Sequence, residues 1–262
     1  MAQTELIEID ELVDEIDSRI CALPNLKAES VRSVRKEFSK RLVNTSPQIM
    51  ISLSLRLLQL DRPGFEYRFV AYELICCHKA ALRSLGEKEL ELLGQGLSSW
   101  GDVDTFACYL AGPAWREFQV PDALIHRWAH SQDHWWRRAA IVCTVALNNK
   151  ARGGSGDTAR TLEVCRILVS DRDDMVVKAM SWSLRELSRR DPEAVRAFLL
   201  EHKGLLAPRV VREVNTKLTT GLKNPRRKSL AMRAELLHVL AFPFESIGRE
   251  RLLASQRACV QC

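Results

Sequence analysis

The stretch DHWWRRAA at residues 133–140 aligns without a gap with DDMVVKAM at residues 173–180. An aspartate opens both stretches, and a basic residue followed by alanine recurs at the same place, 40 positions further along the chain. Forty residues are enough for two helices and the turns that join them. The alignment therefore predicts a repeated helix pair.

Repeats of about 40–47 residues that consist of two helices are typical of HEAT-like solenoids, which stack into an array with a concave face. The alternative is a chance similarity between two ordinary amphipathic helices. The rest of the chain also divides into helices with short turns, which favours the repeat. We therefore predict an all-α fold, a superhelical solenoid of antiparallel HEAT-like helix pairs with a concave basic face. A single domain is expected over residues 1–262, with an acidic N-terminal capping helix at 1–22 and a C-terminal extension at 245–262.

Apolar residues recur every three to four positions along almost the whole chain, which indicates helices with one buried face. One apolar stripe runs from Leu6 to Ile20 beneath an acidic face, and a second runs from Val31 to Leu42. Further helices are predicted at residues 47–60, 65–83, 87–97, 102–111, 121–130, 133–147, 158–169, 173–189, 191–201, 207–220, 228–241 and 247–257.

Proline and glycine mark the predicted turns between these helices. Gly112-Pro113 is one such predicted break in the helical pattern. The segment from Ala151 to Gly156 contains three glycines and predicts a flexible surface loop.

The composition excludes several classes of protein. Of 262 residues, 46% are hydrophobic and 27% are charged, which is too apolar for a disordered chain. Only 12 glycines, 9 prolines and 6% aromatic residues argue against an all-β sandwich or barrel. No apolar run approaches the roughly 18 residues of a membrane span. The N-terminus is acidic where a targeting signal would be basic, so a cytoplasmic protein, in the bacterial cytosol or nucleoid, is expected.

The formal net charge of +6 is unevenly distributed. Residues 1–130 contain 15 Lys and Arg against 19 Asp and Glu, so residues 131–262 contain the remaining 24 and 14 of the chain's 39 and 33. The second half therefore has a balance of +10. Such a concentration is expected of a protein that binds a polyanion, although many helical domains with a basic half bind none.

The cysteines and histidines predict neither a metal site nor a cofactor. Most of the eight cysteines lie inside apolar helical runs and are expected to be buried thiols. Cys259 and Cys262 have ligand spacing, but no second pair completes a zinc site. His126, His130 and His134 are four residues apart, yet no carboxylate or Cys sits at matching spacing, so we interpret them as solvated helix residues.

The segment around Trp100 is the first candidate site. Trp100 and Asp104 are four residues apart and share one face of a helix that begins here. In one interpretation Asp102 caps the helix while Trp100 packs as a staple before it. That interpretation explains Asp102 well and Asp104 poorly. In the other interpretation Asp104, an acid one turn into a helix next to an indole, lies in a cleft.

Two later helices combine tryptophan with basic residues. One contains Trp136 followed by Arg137 and Arg138. In the other, Lys178, Trp182 and Arg185 form a basic stripe with an indole in the middle, which suits phosphate contacts around a stacked base. Trp182 could instead be a core residue covered by the stems of Lys and Arg.

The last basic segment contains Arg209 and Arg212, followed by five more cations. These side chains resemble sequence-independent phosphate contacts, and an exposed basic tail without a ligand is the alternative. The five following cations are Lys217, Lys223, Arg226, Arg227 and Lys228.

Together these segments resemble the AlkD-like DNA alkylation repair proteins over about residues 29–220. The resemblance is carried by Trp100-Gly101-Asp102-Val103-Asp104, by the helix at residues 136–142, by the Lys-Ala-x-x-Trp-x-x-Arg-Glu pattern at 178–186 and by residues 208–214. Family members are single-domain stacks of HEAT-like repeats. Some of them are DNA glycosylases that excise N3- and N7-alkylated purines.

The resemblance implies roles for individual residues. Trp100 and Trp182 would flank the damaged nucleotide, and Asp104 would be the catalytic carboxylate. Phosphate contacts would come from Arg137, Arg138, Lys178, Arg185, Arg209 and Arg212. The implied function is that of a monofunctional alkylpurine glycosylase, a monomer acting on duplex DNA with alkylated bases and without a cofactor, metal or membrane. The alternative is a non-catalytic HEAT-repeat module that binds branched or damaged DNA or a protein partner. The acidic first helix and the residues from 229 onward have no counterpart in the family.

Overall fold

In the computed structural model the chain forms helices that are joined by short turns. The structure describes residues 3–60 and 64–223, with side chains from Glu8 onward, and this part contains no strand. A π-helical turn, Ala107–Ala111, joins α7 to α8, and a 3-10 turn, Lys150–Arg152, follows α10. The α-helices are α1 (Gln3–Cys21), α2 (Ala28–Arg41), α3 (Pro47–Leu58), α4 (Phe65–Cys77), α5 (Lys79–Arg83), α6 (Glu87–Leu93), α7 (Trp100–Phe106), α8 (Gly112–Arg116), α9 (Asp122–Ala129), α10 (His134–Asn148), α11 (Thr158–Ile167), α12 (Asp174–Leu187), α13 (Pro192–Glu201) and α14 (Pro208–Thr220).

The helices pack in two layers. In the first, α2, α4, α7, α10, α12 and α14 lie against one another in this order, and we call these six helices the site layer. Other helices form the second layer, where α1 packs on α3 and α9 on α11. This two-layer packing is what stacked helix pairs require, so the predicted all-α solenoid fold is confirmed. The single domain, its capping helix and its extension stay predictions; the extension at 245–262 and the helices at 228–241 and 247–257 lie outside the described residues.

The repeated aspartates that opened the sequence comparison are N-caps. Asp133 Oδ1 accepts a hydrogen bond from the N–H of Trp135 at 2.8 Å, and Asp173 Oδ1 accepts one from the N–H of Met175 at 2.8 Å. A side-chain acceptor at this position satisfies a backbone donor that the first turn leaves unpaired. The aligned stretches therefore begin α10 and α12 in the same way.

Four aromatic rings from four helices form the core behind α7. Phe106 contacts Tyr72 and Trp128, with ring centroids 5.8 and 5.9 Å apart, and meets Trp136 edge-on at 6.0 Å. Trp136 and Trp128 are closer still, at 4.8 Å. Rings at these separations contribute about 0.5–1.5 kcal/mol per pair beyond the area they bury. Trp136 is therefore a packing residue that fixes α7 against α10.

The predicted helix break at Gly112-Pro113 is wrong. The Gly112 N–H donates to the Ala107 carbonyl oxygen, five residues back, and helical structure continues through Pro113 to Arg116. Proline has no N–H to donate, and the π-helical turn before it absorbs the irregularity. Gly112 also lets the backbone approach α10, because a Cβ there would lie 2.6 Å from the Cβ of Ala146.

The acidic face of α1 is engaged with its neighbours. Glu15 pairs with Arg41 at 2.6 Å and Asp10 pairs with Arg56 at 2.8 Å. Both pairs are exposed, so each adds little to stability. The apolar face of α1, which includes the buried Ile16, supplies the main attachment.

Gly112→Ala is expected to lower the free energy of unfolding by about 1–3 kcal/mol, because the new methyl group has to displace α8 from α10. Urea titration followed by circular dichroism measures the change. Gly204→Ala is the matched control, since a Cβ at Gly204 meets nothing within 4 Å, and it should alter stability by less than about 0.5 kcal/mol. Equal effects of the two substitutions would contradict the close approach at Gly112.

Candidate functional site

The first turn of α7 presents Trp100 to solvent. Ser99 caps the helix, since its Oγ accepts a hydrogen bond from the N–H of Asp102 at 3.2 Å. Asp102 itself is buried inside the first turn, and the Trp100 side chain is 62% exposed. The interpretation in which Asp102 is the cap and Trp100 packs as a staple is therefore wrong. An indole with this exposure is available to a ligand.

Asp104, one turn further along α7, forms a two-point ion pair with Arg138 of α10. Arg138 Nε donates to Asp104 Oδ1 at 3.0 Å, and Nη2 donates to Oδ2 at 2.9 Å. Its third nitrogen, Nη1, donates to the carbonyl oxygen of Met175 at the start of α12, at 2.5 Å. Arg138 is only 5% exposed, so its guanidinium is fully occupied inside the site layer. The phosphate-binding role implied for Arg138 stays a prediction, and a direct contact would break these bonds.

A pocket of about 370 Å³ lies over this ion pair. Trp100 and Asp104 line it together, as their spacing predicted, but Trp182, Lys178 and Arg185 are not among its lining residues. The lining is mostly apolar or aromatic, with one carboxylate and one guanidinium. Its residues are Phe65, Ser99, Trp100, Gly101, Asp104, Thr105, Tyr109 and Arg152.

The surroundings of Asp104 make its carboxyl group harder to ionise than that of an ordinary aspartate. Burial raises the pKa of Asp104 above its usual value, while the hydrogen bonds and charge of Arg138, and the charge of Arg152, act against that rise. Desolvation disfavours a carboxylate, and a cation in contact favours it. A partly buried carboxylate in a cleft, tuned by two arginines, is a typical feature of a catalytic or binding site.

Three lining residues of this pocket were missed by the sequence reasoning. Phe65 comes from the start of α4, Tyr109 from the π-helical turn, and Arg152 from the 3-10 turn after α10. The Arg152 guanidinium lies 4.8 Å from the centre of the Tyr109 ring. Sequence distance hides this grouping. No sequence signal pointed to the three residues, although the π-helical turn that carries Tyr109 is of a kind that occurs frequently at functional sites.

Trp182 and Arg185 lie on α12, two helices along the site layer from Trp100. Trp182 is half-buried and packs against the hydrophobic core. Arg185 is also half-buried, which lowers its pKa from the usual value, and its Nε donates to Ser181 Oγ at 3.3 Å. Most of the Trp182 side chain is therefore packed inside the protein, as its interpretation as a core residue requires. Its role beside a damaged nucleotide stays a prediction.

Most other predicted phosphate ligands have a carboxylate partner within the protein. Arg137 Nε contacts Asp171 at 2.7 Å, Lys178 Nζ contacts Asp174 at 2.5 Å, and Arg209 Nε contacts Glu213 at 2.9 Å. Arg212 is exposed and has no side-chain partner among the described residues. Of the flanking cations, Lys217 donates to the Gly221 carbonyl oxygen and Lys223 is exposed. Arg226, Arg227 and Lys228 lie outside the described residues.

The described residues contain no cluster of three or more His, Cys, Asp or Glu arranged to hold a metal ion. Of the six described cysteines, Cys108, Cys143 and Cys165 are buried, whereas Cys76 is half-buried and Cys21 and Cys77 are exposed, so the expected burial holds for only half of them. Burial raises the pKa of Cys165 to about 12. The pair Cys259 and Cys262 lies outside the described part of the chain. None of the described helices is long and apolar enough to cross a membrane.

Comparison with known proteins finds a matching family and a similar fold. The model of a family described as DNA alkylation repair enzyme matches residues 23–218. A solved structure described as a predicted DNA alkylation repair enzyme from Enterococcus faecalis superposes with a TM-score of 0.58 and 16% sequence identity. The similarity covers 82% of this chain and 95% of the other, and at that identity it shows the fold. No match was found among curated proteins.

Arg138→Ala is expected to lower the free energy of unfolding by about 3–5 kcal/mol, because it leaves the partly buried Asp104 carboxylate without its cation. Arg127→Ala is the control: Arg127 also makes two ion pairs, with Glu87 at 2.6 Å and Glu91 at 2.7 Å, but these are exposed. Arg127→Ala should lower the free energy of unfolding by less than about 1 kcal/mol. Denaturant titrations of both variants measure the difference, and similar losses would argue against a structural role for the Asp104 pair.

Proposed function

Because this chain belongs to the family of DNA alkylation repair enzymes, we propose that it is a monofunctional DNA glycosylase. Its reaction is hydrolysis of the N-glycosidic bond of cationic N3- or N7-alkylated purines in duplex DNA. One observation carries the proposal: Asp104 and the exposed indole of Trp100 line the same pocket, and buried Arg138 fixes the carboxylate from behind. The family supports the repair of alkylated DNA, and the site supports the chemistry.

The chemistry requires little from the protein. An alkylated purine that carries a positive charge is already a good leaving group, so its bond to the sugar breaks through an oxocarbenium-like state. An anion beside the sugar stabilises that state, and the same carboxylate can accept a proton from the attacking water. Asp104 is the carboxylate available in the pocket for both tasks.

Arg138 acts through Asp104 in this mechanism. Its two hydrogen bonds fix the plane of the carboxylate, and its charge opposes the rise in pKa that burial causes. Both effects of Arg138 favour the ionised form of Asp104 in a partly dry pocket, where an anion is most effective. Arg138 is therefore a positioning residue, and Asp104 is the catalytic residue.

Aromatic faces provide the preference for a charged base. An indole attracts a cation over its ring face more strongly than a neutral group, by about 0.5–2 kcal/mol. Trp100 offers such a face at the mouth of the pocket. In the proposal Trp182 approaches the nucleotide from α12, on the other side of α10. This selectivity requires no hydrogen bonds to the base edges.

Phosphate contacts in the proposal come from the later helices of the site layer. Lys178 and Arg209 both pair with Asp174, which is exposed. Exposed ion pairs contribute little to stability, so DNA phosphates can replace Asp174 at small cost in free energy. Arg212 and Arg185 have no ion-pair partner among the described side chains, and Arg137 would have to leave Asp171. Arg212 and Arg185 are therefore the stronger candidates.

A second candidate function is a non-catalytic module that binds damaged or branched DNA or a protein partner. The packing of Trp182 against the core favours it, because only one of the two tryptophans then reaches the pocket. The two functions make opposite predictions for the release of alkylated bases.

Asp104→Asn is expected to reduce the release of 7-methylguanine and 3-methyladenine from methylated duplex DNA at least about 100-fold, because the amide neither carries charge nor accepts the proton. Binding of the same duplex should be kept. Chromatography of released bases and fluorescence anisotropy measure the two quantities. Asp102→Asn, in the same turn but outside the pocket lining, should release bases normally. If the unmodified protein binds the DNA but releases no alkylated base, the glycosylase proposal fails and the non-catalytic module is the remaining candidate.

Trp100→Ala is expected to slow base release about tenfold, which corresponds to the loss of one cation–π contact. Phe118→Ala is the control, because Phe118 is even more exposed than Trp100 but does not line the pocket. Single-turnover rates on methylated duplex DNA provide the comparison. Identical rates for the two variants would remove Trp100 from the mechanism.

A further inference from the structure

Arg152 is a cation in the pocket that neither the sequence pattern nor the mechanism above uses. We infer that Arg152 binds a phosphate of the DNA strand, the one next to the nucleotide that Asp104 faces. This inference rests on the proposed DNA substrate and adds a named contact to it. The pocket thereby becomes a site for a whole nucleotide unit, with the base at Trp100 and the phosphate at Arg152.

The contacts of Arg152 distinguish it from most cations near the site. Arg138, Arg137 and Lys178 each pair with a carboxylate of the protein. Within the described part of the chain, the Arg152 side chain makes no ion pair, and its guanidinium stacks on the Tyr109 ring at 4.8 Å. A stacked guanidinium keeps its N–H donors at its edge, where they suit the oxygen atoms of a phosphate.

The backbone that presents Arg152 is fixed by two other arginines. Arg116 Nη1 donates to the Arg152 carbonyl oxygen at 2.5 Å, and Arg190 donates to the carbonyl oxygens of Asn148 at 2.9 Å and Gly154 at 2.8 Å. The segment predicted as a flexible loop is therefore pinned at two of its own carbonyl groups and at the last carbonyl group of α10 before it. A backbone held this way loses little conformational entropy when a ligand binds.

Gly153 explains how the chain turns immediately after Arg152. Its φ is +83°, a conformation that residues with a Cβ rarely adopt, and a Cβ there would lie 3.1 Å from Arg116 Nη1. Gly154 follows it and is buried, with a constructed Cβ only 2.6 Å from the Ala146 carbonyl oxygen. The two glycines bring the segment down onto α10, so that Arg152 faces the pocket.

The charges of the pocket indicate which kind of ligand it binds. Asp104 forms an ion pair with Arg138 and also feels the charge of Arg152, so two cations share one carboxylate and the site keeps an excess positive charge. A cationic base alone would gain from Asp104 and be repelled by Arg152. A nucleotide within DNA satisfies both groups, because its phosphate brings the missing anion. The free base left after cleavage lacks that anion, so the pocket favours the nucleotide over the released base.

Arg152→Gln tests this inference in the full-length chain. The probe is a short DNA duplex with one tetrahydrofuran abasic analogue, which contains no base to release, and the undamaged duplex of the same sequence is the reference. We expect about tenfold weaker binding of the abasic duplex and a smaller loss on the undamaged one. The slope of log affinity against log salt should fall by about one, as for one lost phosphate contact.

Lys150→Gln is the matched control, because Lys150 is an exposed cation on the same 3-10 turn and does not line the pocket. It should change neither the affinity nor the slope. Equal effects of the Lys150 and Arg152 substitutions would overturn the inference, as would a failure of the unmodified protein to bind either duplex. Thermal unfolding of each variant shows that the fold is kept.

Tyr109→Phe and Tyr109→Leu test how Arg152 is held. The phenyl ring keeps the stack and should bind the abasic duplex normally, whereas leucine removes the ring and should weaken binding in the same direction as Arg152→Gln. Weakening of equal size in both Tyr109 variants would contradict the stack.

The failure of this inference can be told apart from the failure of the proposed glycosylase. If the protein releases no alkylated base but Arg152→Gln weakens binding of the abasic duplex, the phosphate site stands and the catalytic proposal fails. If bases are released and Arg152→Gln behaves like Lys150→Gln, the catalytic proposal stands and the phosphate site fails.

Discussion

The contacts of the Arg138 guanidinium define the geometry of the site. Its three nitrogens bond the Asp104 carboxylate on α7 and the Met175 carbonyl oxygen at the start of α12, so one buried side chain on α10 joins three successive helices. A buried cation is tolerated only when it is paired and its donors are satisfied, which restricts the spacing of these helices. The pocket lies on the exposed side of this arrangement.

A comparison within the site layer shows why Asp104 differs from other paired acids. Glu73 on α4 is buried and is held by Arg32 at 2.7 Å and Arg35 at 2.8 Å, both from α2. Two cations and full enclosure leave Glu73 with a structural role. Asp104 has one arginine in contact, and its remaining surface borders the pocket. An ion pair between two helices is thus structural where the protein encloses the carboxylate, as at Glu73. It is available for chemistry where the carboxylate borders a pocket, as at Asp104.

Local signals in the sequence predicted the helices and part of the site. The helix predicted at residues 47–60 begins at Pro47 as α3, and the four-residue spacing of Trp100 and Asp104 brought both into one pocket. Signals failed where tertiary contacts decide the outcome. Gly112-Pro113 continues a helix because a π-helical turn precedes it. For Trp182 the sequence left a core role and a site role open, and its side chain packs against the core. Phe65, Tyr109 and Arg152 come from three separate elements, so no short-range pattern connects them. The basic second half also overstated the free charge, because several of its described cations, among them Arg137, Arg138 and Arg160, are paired with carboxylates.

The glycine-rich segment after α10 has a consequence for how this family can diverge. Sequences of this composition on a surface are usually where insertions and deletions accumulate between relatives. Here Arg116 and Arg190 hold the backbone from both sides, and Gly154 is packed against α10. An added or deleted residue would break those bonds and turn Arg152 away from the pocket. Relatives that use the same pocket should therefore conserve the length of this segment, even where its individual residues vary.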